Sequence, residues 1–410
     1  MDSQSKHKRI NINHASCIDW LAAYDGPLFD SCVTDPPYEL GFMGKAWDST
    51  GVAFDPATWL AVYEALKPGA YLVAFSGTRT YHRMACAIED AGFEIRDQLM
   101  WTYGSGFPKS HNISKSIDKA AGAEREIIST ATDRRADGTL YSFNHNGNIT
   151  SNEAATPEAE KWQGWGTALK PALEPICLAR KPLSEKTVAA NVLKHGTGAI
   201  NIDGCRVDAP DGVPVFDKTN RRAGTSFDIG SNRTGETTGK GRWPANLIHD
   251  GSDEVLAGFP DTSSGSMAAG TIRKNQTGFS GNMPLITAND TPADCGSAAR
   301  FFYSAKAGPL DRIGTAHATV KPVDVMRWLC RLITPPGGLI LEPFAGSGTT
   351  GIAAMAEGFN CQMIELDSDH VIDIERKLAF LRGDGALTFQ EHNHAKAKRS
   401  TPEPLGGLFG

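Results

Sequence analysis

Short apolar runs alternate with stretches whose apolar residues recur at helical spacing, and this rhythm dominates both ends of the chain. Phe29–Thr34 is a run that stops at Asp-Pro-Pro-Tyr, the pattern of a buried strand ending in a turn. Pro56–Leu66 predicts a helix closed by Lys67-Pro68-Gly69, and Tyr71–Phe75 a further strand. A helix over Tyr81–Ala91, with Gly92 after it, leads into an extended stretch at Ile95–Tyr103. Near the other end, Val323–Ile333 predicts an amphipathic helix, Gly338–Leu341 a strand, Thr349–Ala356 a helix and Asn360–Leu366 a strand. His370–Leu381 predicts the last helix. Strands alternating with helices argue for an α/β fold, a doubly wound, mostly parallel sheet covered on both faces.

The rhythm breaks in the middle. From Gly104 to about Trp162 the chain is polar and rich in Gly, Ser, Asn and Thr, with a helical island near Asn112–Ala121. A strand-like run returns at Pro175–Ala179, and from about Lys181 to Ala299 the composition is loop-like. Within it, Lys194 to Arg242 is slightly basic. Residues 383–410, with their Pro and Gly, read as a flexible tail. These shifts divide the chain into 1–182 (with a polar insert at about 104–162), 183–299, 300–382 and the tail.

Composition narrows the class without naming it. Of the 410 residues, 40% are hydrophobic and 21% charged, an ordinary globular balance, and no uninterrupted apolar run is long enough to span a membrane. Lys6, Lys8 and Arg9 precede no apolar core, so the beginning of the chain does not read as a secretory signal. The eight cysteines are scattered, with no CxxC pair. They are expected to be reduced, mostly buried thiols of a cytoplasmic protein. A net charge of −6 gives no global attraction to nucleic acid, but a local basic surface would suffice for it.

Two motifs carry chemistry. In Leu339-Ile340-Leu341-Glu342-Pro343-Phe344-Ala345-Gly346-Ser347-Gly348-Thr349-Thr350 a strand enters a glycine-rich turn and then a helix. Such a turn lets backbone approach a ligand and leaves helix N–H groups free to hold it. Glu365 follows at the end of the next strand, the spacing at which such sheets hold the ribose hydroxyls of a nucleoside. The second motif is Thr34-Asp35-Pro36-Pro37-Tyr38 at a strand's carboxyl end. An exocyclic base amine is a poor nucleophile because its lone pair is delocalised. Asp35 and the Pro36 carbonyl could accept its N–H groups and favour a pyramidal nitrogen. Pro36 and Pro37 would fix that carbonyl, and Tyr38 would offer a ring to the base.

With both motifs in view, the chain resembles S-adenosylmethionine-dependent DNA amino-methyltransferases of the β class, in which the catalytic motif precedes the cofactor motif. His317-Ala318-Thr319-Val320-Lys321-Pro322 resembles the motif those enzymes carry at the methionine end of the cofactor. FMGKAWD, YGSGFPKSHN and HGTGAINIDGC look like orphan or phage-borne modification methylases. The resemblance implies a class I methyltransferase fold, S-adenosyl-L-methionine as cofactor and double-stranded DNA as partner, with no membrane. It also brings in the homodimer such enzymes often form. Asp35, Pro36, Pro37 and Tyr38 would be the amine-activating set. Glu342, Pro343, Phe344, Gly346, Ser347, Gly348 and Thr349 would line the cofactor, Glu365 its ribose, and Thr319 and Lys321 its methionine end. Family members often carry Gly-Asp near the adenine. Here Asn13-His14-Ala15-Ser16-Cys17 stands there, so no adenine contact is assigned.

The target base must be flipped to reach Asp35, and the loop Glu39–Thr50, with Phe42, Met43, Lys45 and Trp47, is placed to close over it. Residues 183–299 would recognise the target, with Arg221, Arg222, Arg233, Lys240, Arg242 and Trp243 as candidate DNA contacts and Lys109, Lys115 and Lys119 as weaker ones. His111, His195 and His317 lack partners at metal-ligand spacing, and no metal is expected. Adenine N6 is favoured because such enzymes typically carry Asp-Pro-Pro-Tyr, whereas N4-cytosine enzymes more often begin that motif with Ser. N4-cytosine methylation, amide or RNA methylation, and a catalytically silent DNA-binding regulator are the alternatives.

Overall fold

The computed structural model describes residues 10–41, 48–106, 110–130, 148–209, 213–217, 232–264, 277–278, 281–282, 294–305, 311 and 320–382. Two compact units emerge, one of residues 1–104 and 173–410 and one of residues 105–172.

The larger unit is built on a nine-stranded sheet. Its strands are β1 (Ile10–His14), β2 (Phe29–Thr34), β3 (Leu66–Phe75), β4 (Glu94–Thr102), β5 (Leu173–Arg180), β6 (Leu247–His249), β7 (Tyr303–Ser304), β8 (Leu339–Glu342) and β9 (Asn360–Glu365). Their order across the sheet is β1-β9-β8-β2-β3-β5-β4-β6-β7. Every pairing is parallel except those of β5, which runs antiparallel to both β3 and β4. The predicted doubly wound, mostly parallel sheet is therefore present.

Helices cover both faces: α1 (Cys17–Ala22), α2 (Pro56–Ala65), α3 (Tyr81–Asp90), and later α5 (Val188–His195), α6 (Val323–Ile333), α7 (Thr349–Glu357) and α8 (Ser368–Arg382). The strand residues divide by parity. Tyr71, Val73 and Phe75 of β3 join one hydrophobic cluster with Met326, Trp328 and Leu329 of α6. Leu72 and Ala74 join another with Trp59 and Val62 of α2 and Met84 of α3. Both faces of the central strands are thus buried, which is why they read as apolar runs.

Two sequence expectations need correction. Lys67-Pro68-Gly69 does not close a helix with a turn, because α2 stops at Ala65 and β3 begins at Leu66. Gly69, at φ +80°, instead donates its N–H to the carbonyls of Lys181 and Pro182. The loop-like 183–299 stretch holds α5, whose Thr187 side chain caps Ala190 N–H and whose Gly196 ends it in the left-handed region. It also supplies β6 to the central sheet.

The smaller unit contains α4 (Ile113–Ala120), capped by Asn112, and a one-turn helix at Pro157–Glu160 capped by Thr156. The Asp118 and Arg125 side chains form a buried pair at 2.6 Å. Thr156 donates to Asp118 and Arg125 to Ser114, so both charges of this buried pair have partners.

Candidate functional site

β2 connects onward to β3 on one side of the sheet and β8 to β9 on the other, so the two chain directions diverge between β2 and β8. In doubly wound sheets the crevice beyond the carboxyl ends of such strands receives ligands. Here it receives both motifs. A cavity of about 490 Å³ is lined by Asp35, Pro36, Pro37 and Tyr38 together with Glu342, Pro343, Phe344, Gly346, Ser347, Thr349, Glu365 and Lys321. That volume is in the range of small-molecule and cofactor sites.

The glycine-rich turn is held from behind. Glu342, fully buried, accepts hydrogen bonds from the hydroxyls of Thr34 and Thr350 and from the N–H of Phe344. Burial pushes its carboxyl up to about 8, against the pull of these donors. Glu342 thereby joins the end of β2 to the start of α7. Gly346 and Gly348 both take positive φ, +51° and +74°. Gly348 does not line the cavity. It caps α7, and a Cβ there would meet Ile374 at 2.9 Å. The buried Lys377 donates to the Ser347 carbonyl at 3.4 Å.

Glu365 stands at the end of β9, as its spacing predicts. Its carboxylate accepts from Gly346 N–H at 2.7 Å and Asp367 N–H at 2.9 Å, with His370 Nδ1 3.7 Å away. The imidazole of His370 is held protonated to higher pH mainly by Glu365. Ala15, Ser16 and Cys17, of the stretch to which the sequence assigned no adenine contact, line the same cavity, as does Ile18.

At the catalytic turn, Lys321 Nζ lies 2.6 Å from Asp35 Oδ2 and 3.3 Å from Glu174 Oε2. Tyr38 donates its hydroxyl to that same Glu174 oxygen at 2.8 Å. Burial and the neighbouring carboxylates raise the Tyr38 phenol well above its ordinary value, so it stays a donor. The other oxygen of Asp35, Oδ1, is buried and has no hydrogen-bond partner among the described residues. Glu174, at the second position of β5, escaped sequence reasoning. A single acid beside a strand carries no spacing signal.

The loop after the catalytic turn is pinned where it is described. Asp48 accepts from the N–H groups of Glu39 and Leu40, and its carbonyl accepts from Gly41 N–H. Phe42, Met43, Lys45 and Trp47 lie outside the described residues, as do Lys109, Arg221, Arg222, His317 and Thr319. Lys240 pairs with Asp203 at 3.1 Å, Arg242 donates to the carbonyls of Asp208 and Arg300, and Trp243 is largely exposed. Arg233 falls in the strand Asn232–Thr238. All eight cysteines are unbridged, and six of them are buried. Among the described residues, no group of three or more His, Cys, Asp or Glu is arranged to hold a metal ion, and no helix is long and apolar enough to cross a membrane.

Several known proteins are similar to this chain. Type II methyltransferase M.HindIII of Haemophilus influenzae is 30% identical over 141 residues, 34% of this chain and 35% of that protein. DNA adenine methyltransferase YhdJ of Escherichia coli is 34% identical over 83 residues, 20% of this chain and 26% of that protein. The chain thus spans about a third and about a quarter of these relatives' lengths. The solved structure of PvuII DNA methyltransferase (cytosine-N4-specific) is similar at 11% identity and a TM-score of 0.46, over 95% of this chain and 92% of that one. The family model N6_N4_Mtase, DNA methylase, matches residues 29–376, from the first residue of β2 into α8 and so across both motifs, and the chain belongs to that family.

Proposed function

We propose that the protein is a site-specific DNA methyltransferase that transfers a methyl group from S-adenosylmethionine to the exocyclic N6 of an adenine flipped out of the duplex. The observation that carries this reading is the sharing of one cavity by the Asp35–Tyr38 turn and the Phe344–Thr349 turn.

The residues present fit the cofactor. The turn at Gly346 exposes backbone to the cavity, Phe344 presents an aromatic face of the kind that attracts a sulfonium, and Glu365 holds carboxylate oxygens at the ribose position. Thr319 and Lys321 belong toward the methionine end. When bound, S-adenosylmethionine supplies a methyl group activated on a positively charged sulfur.

The chain's own groups prepare the amine. Asp35 Oδ1, with no hydrogen-bond partner among the described residues, is the acceptor for one N–H of the target amine, and the Pro36 carbonyl is the second. Accepting both hydrogens turns the nitrogen lone pair out of conjugation and toward the methyl group. Tyr38 stacks on the base, which repays part of the few kcal/mol of unstacking that flipping costs. Residues 183–299, Arg221, Arg222, Arg233, Lys240, Arg242 and Trp243 among them, supply target recognition. Adenine is preferred over cytosine N4 because of Asp-Pro-Pro-Tyr and because the relative YhdJ is named an adenine methyltransferase. The proposal includes a cytoplasmic location and a homodimer.

Labelled S-adenosylmethionine incubated with unmethylated duplex DNA tests the reading. It predicts label in the DNA. Tight cofactor binding with none transferred would instead favour another amine substrate or a catalytically silent regulator.

A further inference from the structure

Glu174 belongs to neither motif, yet it lines the cavity beside the catalytic turn. Its Oε2 accepts from the Tyr38 hydroxyl at 2.8 Å and stands 3.3 Å from Lys321 Nζ, which is 2.6 Å from Asp35 Oδ2. The three charged side chains are largely shielded, with relative exposures of 7% for Lys321, 18% for Glu174 and 22% for Asp35. Two carboxylates therefore share one ammonium where water screens little. Lys321 is further located by the rings of Tyr38 and Phe75, 5.2 and 5.1 Å from its Nζ.

This sharing matters for the amine. An ammonium held by Asp35 alone would draw that carboxylate's electron density to itself and weaken it as an acceptor for a base N–H. A second carboxylate within 3.3 Å of the same ammonium divides the pull. The Tyr38 hydroxyl bond, meanwhile, fixes the tilt of the ring proposed to meet the base.

We infer that Glu174 is a positioning residue for methyl transfer, holding Lys321 between two carboxylates so that Asp35 keeps an oxygen for the amine, and orienting Tyr38 for the base. The inference rests on the proposed function above. Glu174 itself touches neither the methyl group nor the amine.

Glu174→Gln tests it, because glutamine keeps the size and an acceptor for Tyr38 while removing the charge. In the full chain, the single-turnover rate of methyl transfer at saturating cofactor and DNA should fall roughly ten- to a hundredfold, the scale of one hydrogen bond to a charged group. Cofactor affinity by calorimetry and DNA affinity by anisotropy should change by less than about threefold, within the usual scatter of single contacts. Glu174→Asp should recover part of the rate. With Lys321→Met the effects should be non-additive, the double variant being no slower than the slower single one.

An unchanged rate in Glu174→Gln, an aspartate variant no better than glutamine, or additivity with Lys321→Met would overturn the inference. So would a loss confined to cofactor affinity. Should Glu174→Gln fail to fold, the aspartate variant and its cycle with Lys321→Met carry the same test. Failure of the unaltered protein to methylate DNA would overturn the proposed function and this inference together, whereas normal transfer with an indifferent Glu174 overturns only the latter.

Discussion

Lys321 and Asp35 are separated by 286 residues, and their charged atoms lie 2.6 Å apart. The contact spans the length over which the catalytic and cofactor motifs are split, and the sheet explains it. Ile340 and Leu341 of β8 pair with Ser31 and Cys32 of β2, so the motif that comes last in sequence is the immediate neighbour of the one that comes first. A chain can carry its catalytic and cofactor halves in this order because adjacency in the sheet, and not order in the sequence, assembles the site.

Removing the Asp35 carboxylate should abolish transfer while leaving the cofactor side of the cavity standing. Asp35→Ala is expected to lower the methyl-transfer rate by at least about a hundredfold, the scale of a positioned acid–base group. Cofactor affinity by calorimetry should stay largely intact. Full activity in this variant would refute the mechanism.

Glu365 anchors the turn as well as the proposed ribose. Glu365→Ala removes the acceptor of two backbone N–H groups, at Gly346 and Asp367, and should weaken cofactor binding by about 1.5–3 kcal/mol, on the scale of hydrogen bonds to a charged group. Calorimetry measures this directly, and an unchanged affinity would remove Glu365 from the role.

Gly348 is required by both backbone and space. Its φ of +74° and the 2.9 Å approach of Ile374 to a new methyl make Gly348→Ala costly, by roughly 1–2 kcal/mol for the left-handed backbone and more for overpacking. The urea midpoint should fall with little change in slope. A midpoint equal to that of the unaltered protein would contradict the packing described.

Glu342 sets a pH dependence of known sign. Its carboxyl rises from about 4.5 to about 8 on folding, so the folded protein holds a proton between those values that the unfolded chain has lost. Its contribution to stability is complete below about pH 4.5, declines as pH rises, and is gone above about pH 8. The slope is at most about 1.4 kcal/mol per pH unit. Urea unfolding across this range should show the decline in the unaltered protein and a shallower one in Glu342→Gln. Equal slopes would mean that Glu342 titrates at its ordinary value.

What was legible from sequence follows from what makes a signal local. β2, β3, β8 and β9 are buried on both faces and announce themselves as apolar runs, and α6 shows its stripe as helical spacing. The three residues of β6 and two of β7 are too few for any periodicity, and they become strands only by pairing, β6 with β4 and β7 with β6. The direction of β5 is equally silent, since an antiparallel strand buried on both faces looks like a parallel one. Within the site, Asp35 and Glu365 stand out because motif and spacing mark them. Glu174 has its meaning only through Tyr38, 136 residues away, and through Lys321.

The most direct measurement is nucleoside mass spectrometry of unmethylated genomic DNA after incubation with the protein and S-adenosylmethionine. N6-methyladenine is expected, at sites that share a sequence and absent from DNA treated with Asp35→Ala. N4-methylcytosine in place of N6-methyladenine would contradict the assigned base, and no methylated nucleoside at all would contradict the proposed reaction.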